Sequence, residues 1–203
     1  MGCIAHRMHL AVKEYISYRG CDDVVVQVHK LMVSLCTLKG AAWLDKVCGK
    51  VAMKMNVTRW TSTHKMLQRY KEIVGAVVVN NDTPTLYKQL VATIDGNKVD
   101  DLLSFFEVID KSFSALQETS CTLMRAKEIC DLLSKNYPAM AHQLEKNFSG
   151  NGKSAKFMRA VAAIQSGDEK SLKKGEQDQV AGLKKNHDVK VFTNYEGGGG
   201  GGR

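Results

Sequence analysis

Cys3, His6 and His9 open the chain at positions i, i+3 and i+6. On a helix each lies about one turn from the next. A thiolate with two imidazoles is a soft donor set that suits zinc. A tetrahedral site needs a fourth ligand, for which Cys36, Cys48 and His64 are candidates in principle. The plainer alternative makes Cys3 a small buried apolar group and gives His6 a buried hydrogen bond. Arg59-Trp60 is the second set. An arginine beside an exposed tryptophan can clamp a phosphate and stack on a base. Alternatively, Trp60 plugs the core just ahead of a helix and Arg59 is solvated or ion-paired.

No nucleophile, acid pair or phosphate loop stands out elsewhere. The glycines form neither a Walker loop nor a dinucleotide fingerprint. Asp22-Asp23 and Asp100-Asp101 are neighbouring carboxylates, but each pair falls at an expected helix start, where the helix dipole favours negative charge. Phe105, Phe106, Ile109 and Phe113 recur at helical spacing and read as core.

The elements that must position these residues read as helices. Ile4, Met8, Val12 and Ile16 recur every four residues over 3–18, and Arg19-Gly20 ends that run with a candidate left-handed cap. Asp22 is placed to cap a helix carrying Val24, Val28, Leu31 and Leu35. A third carries Trp43, Leu44, Val47 and Val51. Residues 54–61 read as irregular, because Val57, Thr58 and Thr61 are β-branched. Thr61 or Ser62 then caps a long helix bearing Met66, Leu67, Tyr70, Ile73, Val74 and Val77. Thr83-Pro84 predicts another start, and Asp95-Gly96 its end. Further helices follow over 98–118 and 121–136, with shorter amphipathic pieces around Met140, Leu144 and Phe148 and around Phe157, Val161 and Ile164. Residues 166–190 are polar and nearly free of apolar side chains, and 191–203 end in a glycine run that reads as a disordered tail. The expectation is a mainly α chain of about seven or eight helices. It falls into a helical domain over 1–148, a polar and partly helical segment over 149–190, and the tail.

Two prolines in 203 residues agree with long helices, and 44% hydrophobic residues suffice for a core. The net charge of +8 favours a polyanionic partner, most simply nucleic acid. Six scattered cysteines without a C-x-x-C pair, and no apolar run of membrane or signal length, point to a nuclear or cytoplasmic protein with reduced thiols and no membrane contact.

In this order and spacing, the two clusters resemble the hAT-superfamily transposases, DNA cut-and-paste enzymes with an RNase-H-like core interrupted by a helical insertion. Cys3-x-x-His6-x-x-His9-Leu10 is similar to the family's C-x-x-H-x-x-x-L segment. Thr58-Arg59-Trp60-x-Ser62-Thr63-x-x-Met66-Leu67 is similar to the T-R-W-x-S-T-x-x-M-L segment that begins the insertion helices. Weaker likenesses follow at Leu116-Gln117, Asp131-Leu132, Tyr137-Pro138 and residues 157–167, so the resemblance extends over most of 2–185. It implies an insertion-like helical bundle in which Arg59 and Trp60, with Lys65 and Arg69 further along the same helix, contact DNA, and Cys3 and His6 are structural. Family transposases hold two divalent metals such as magnesium on two aspartates and a distant glutamate. No residue precedes Gly2 to match those aspartates except Met1, and no segment matches the glutamate region. The expectation is therefore a catalytically incomplete, transposase-derived protein with no assigned catalytic residue, metal or cofactor. It would retain DNA contact and could also form a homo-oligomer. A helical protein-interaction module and a zinc protein built on Cys3, His6 and His9 are the alternatives. Without a partner for the RNase-H-like core, the 3–18 helix is expected to expose an apolar face.

Overall fold

The computed structural model describes residues 4–56, 59–145, 154–165 and 167–184. Its secondary structure is helical throughout, with no strand among the described residues. The order is α1 (Ile4–Tyr18), α2 (Asp22–Leu35), α3 (Leu38–Cys48), α4 (Trp60–Val79), α5 (Thr85–Ala92), α6 (Gly96–Gln117), α7 (Leu123–Asn136), α8 (Ala141–Glu145), α9 (Ser154–Gln165) and α10 (Lys174–Lys184). Single 3-10 turns, Pro138–Met140 and Glu169–Ser171, precede α8 and α10. The chain divides into two compact units, residues 1–148 and 149–203.

In the first unit the expected apolar stripes become the core. On α4, Met66, Leu67, Tyr70, Ile73 and Val77 are buried. Opposite them α6 buries Val99, Leu102, Phe105, Phe106 and Ile109. On α2, Val28, Leu31, Met32 and Leu35 have no exposed surface, and that helix packs on α3, α4 and α5. The apolar face of α1 is covered, contrary to the expectation of an exposed one. Met8, Ala11 and Val12 are buried, and α1 packs on α4, α6, α8 and the Pro138–Met140 turn. A ring of aromatics ties these elements together. Tyr15 stacks on Phe105 at 4.1 Å between centroids, and Tyr137 meets both rings edge-on.

Several helix ends differ from the expected ones by a residue or two, because the group that satisfies the first amides is not the expected side chain. Asp22 begins α2 while Cys21 holds the cap position without a side-chain bond. Pro84, not Thr83, occupies the cap position of α5. Asp95 does not end α5 but starts α6, where its carboxylate accepts from the Asn97 and Lys98 amides. Asp100 and Asp101 therefore lie in the second turn and hold cations of other helices. Lys71 lies 2.8 Å from Asp100, and Arg19 lies 3.5 Å from Asp101. Gly20, at φ 60°, ends α1 as expected, with Cys21 N–H donating to the Ile16 carbonyl and Gly20 N–H to that of Ser17.

In the second unit α9 and α10 pack on each other. Met158, Ala160, Val161, Leu172 and Val180 are buried, so the polar stretch after residue 166 contributes to a small core. Glu176, only 4% exposed, accepts from the Lys173 amide and pairs with Arg159 at 3.2 Å. A helix over Lys174–Lys184 goes beyond the sequence expectation. There, Glu176 and Gln177, which donates to the Leu172 carbonyl, tie the start of α10 to the turn before it. The expected glycine-rich tail, and Phe148, lie outside the described residues.

Candidate functional site

The Ser62 hydroxyl ties the start of α4 to the segment ahead of it. Ser62 Oγ lies 2.8 Å from the Asn56 amide and 2.7 Å from the carbonyls of Asn56 and Arg59. Ser62 therefore sits inside the first turn and ties it back to the loop, while α4 itself begins at Trp60, earlier than a Thr61 or Ser62 cap would place it. Arg59 takes the cap position with extended backbone, and its side chain makes no capping bond.

The missing cap comes from another helix. The Trp60 amide donates to His9 Nδ1 of α1 at 3.2 Å, so a residue 51 positions away satisfies an orphan donor of α4. An acceptor at Nδ1 must carry a lone pair, which places the ring proton of neutral His9 on Nε2. Burial, followed by the charges of His6 and Lys13, lowers the His9 pKa from 6.5 and favours that neutral form.

This bond brings the two sequence clusters together. A cleft of about 380 Å³ is lined by Ala5, His6 and His9 of α1, Arg59 before α4, Trp60 and Thr61 of α4, and Phe113 and Gln117 of α6. Among the described residues no carboxylate lines it. A smaller cleft of about 120 Å³ shares His9, Arg59 and Trp60 and reaches Lys13 and Asp22.

The expected contact residues fare differently. Arg59 and Lys65 are exposed. Arg69 is half-buried beside Glu72 at 3.4 Å, and Lys50 lies 2.9 Å from the same carboxylate. The Lys50 hydrogen bond, more than the two charges, holds the Glu72 pKa below its usual value. Arg69 therefore faces an anion already present in the fold. Trp60 requires a correction: it is 5% exposed, lies parallel to Phe106 at 5.9 Å and meets Phe113 edge-on at 5.9 Å. Its ring faces are covered by core, which leaves none open for a base, and the core-plug alternative describes its place.

His6 is exposed on the wall of the larger cleft, while Cys3 and Thr58 lie outside the described residues. Among the described residues no group of three or more His, Cys, Asp or Glu side chains could hold a metal ion. The candidate fourth zinc ligands have other partners. Cys36 Sγ donates to the Ala52 carbonyl, Cys48 Sγ to that of Leu44, and His64 Nδ1 lies 3.0 Å from Asp110.

The His64–Asp110 pair escaped the sequence reading, as did the roles of Phe113 and Gln117 as cleft walls. His64 is 4% exposed, stacks on Phe106 at 5.1 Å and leaves Nε2 buried without a hydrogen bond. The spacing of Phe113 marks it as core, and nothing in the sequence pairs positions 64 and 110. No family model, curated protein or solved structure matches this chain.

Proposed function

We propose that residues 1–148 form a DNA-contacting helical module of hAT-transposase descent that binds without cleaving. Arg59 and Lys65 serve as its phosphate contacts. The observation that carries this reading is the 3.2 Å bond from the Trp60 amide to His9. It joins the two segments whose residues resemble the family and sets an exposed arginine beside a cleft that no carboxylate of the described residues lines. Trp60 contributes by holding the start of α4 against α6, and Arg69 by its pairing with Glu72. The excess of 29 basic over 21 acidic residues adds a general attraction to polyanions.

The test is fluorescence anisotropy of labelled duplex DNA across a salt series. Affinity is expected to fall linearly on logarithmic axes, and replacing Arg59 and Lys65 together with alanine should reduce the slope by about two. Trp60→Phe should leave the affinity unchanged. Absence of salt-dependent binding at low ionic strength would remove the proposal, as would metal-dependent strand cleavage by the purified chain its non-cleaving part.

A second reading, a module that binds a helical protein partner, has its own support. Val26 and Val33, two turns apart on α2, are 44% and 42% exposed, and Val79 and Leu86 are more exposed still. It predicts a complex insensitive to salt and weakened by Val26→Ser with Val33→Ser.

A further inference from the structure

The cleft between α1, the start of α4 and α6 has room for more than a phosphate-backbone contact, at about 380 Å³. Each polar residue among its described lining can donate a hydrogen bond. Arg59 carries a permanent guanidinium fork. The nitrogen of His9 left free by the Trp60 bond carries a proton at neutral pH and donates. The Thr61 hydroxyl, the Gln117 amide and the His6 ring complete the set. A carboxylate ligand has two oxygens and one charge, fewer than this set can engage. A phosphate monoester offers three terminal oxygens and up to two charges. Phe113 and Ala5 supply an apolar wall for the organic group on the fourth oxygen.

We propose that this cleft binds a phosphate monoester, with the phosphate held by Arg59 and His9 and the organic group against Phe113. The proposal builds on the reading of Arg59 as a phosphate contact, but makes the contact a discrete pocket that recognises a terminal phosphate. The Trp60 amide has a positioning role. By engaging Nδ1 it fixes the His9 tautomer, so donation to the ligand needs no protonation.

The test follows the 1H–15N signals of His9, Arg59, Thr61 and Gln117 during titration of the full chain. The probes are inorganic phosphate, sodium chloride of equal ionic strength, and one single-stranded oligonucleotide with and without a 5′-phosphate. Saturable shifts at these four residues with phosphate, and not with chloride, are expected. Arg59→Gln should weaken binding about tenfold. It is a safe variant, because the Arg59 side chain makes no capping bond. Lys54→Gln, exposed and outside the cleft, should bind as the parent does.

Tighter binding of the phosphorylated oligonucleotide would identify a nucleic-acid end as the source of the phosphate. Equal oligonucleotide affinities with saturable phosphate shifts would identify a free small phosphate compound. Saturable phosphate binding without any oligonucleotide binding would uphold the pocket and defeat the DNA-contact function. Oligonucleotide binding that leaves the four cleft signals unmoved, or an unchanged response in Arg59→Gln, would overturn the pocket and leave the DNA-contact function standing.

Discussion

His9 shows how much one side chain can decide. Its Nδ1 caps a helix to which it does not belong, so its protonation removes a hydrogen bond from the Trp60 amide. Because burial and neighbouring cations lower its folded pKa below 6.5, its contribution to stability is complete above pH 6.5. That contribution is lost as pH falls through the lowered folded value. Thermal melts across this range should show an acid-side loss that is flatter in His9→Gln, whose side chain can still accept but does not titrate. At neutral pH, His9→Ala should cost about 1 kcal/mol by leaving the amide without its partner. His64 poses the opposite problem. One nitrogen faces Asp110 and the other is buried without a hydrogen bond. Asp110→Ala would leave both unpaired and should cost about 1–3 kcal/mol in denaturant unfolding. His64→Phe removes both nitrogens while keeping a ring on Phe106, and should cost less.

Helix contacts depend on a few close approaches. At Gly40, near the start of α3, an added Cβ would lie 2.5 Å from the Ser34 carbonyl oxygen and 2.8 Å from Leu35 Cα. Both are backbone atoms that cannot step aside, so Gly40→Ala should destabilise by about 1–3 kcal/mol despite the better helix propensity of alanine. A chemical denaturation curve with an unshifted midpoint would contradict this. Phe106 joins α4 to α6 through Trp60 and His64 and touches Phe105 within its own helix. Phe106→Ala should cost about 3–5 kcal/mol and loosen Trp60, which lines the cleft. The stripes of α4 and α6 were readable from their apolar spacing. Which stripe faces which helix was not, because a stripe specifies only that a face is covered.

Across the whole molecule, the charge of +8 sets a long-range field, while Glu72 and the acids of α6 neutralise part of it locally. Salt dependence is therefore expected to report the exposed Arg59 and Lys65 and not the total of 29 cations. Each unit has its own buried residues. In the second unit the buried Glu176 carboxylate binds the Lys173 amide and Arg159, so Glu176→Ala should raise amide exchange in α9 and α10.

Helix content, the apolar faces and the breaks at Gly20 and Pro138 follow from the order of residue types alone. Helical periodicity and backbone stereochemistry act over a few neighbours. Local chemistry could equally nominate Arg59 and Trp60 as a pair, since they are adjacent in the chain. Only the tertiary structure separated them, turning the indole into the α4–α6 interface and leaving the arginine exposed beside the cleft. It likewise joined His9 to Trp60 and His64 to Asp110, partners 51 and 46 positions apart. Chain spacing imposes no distance between such residues; the packing of α1, α4 and α6 does.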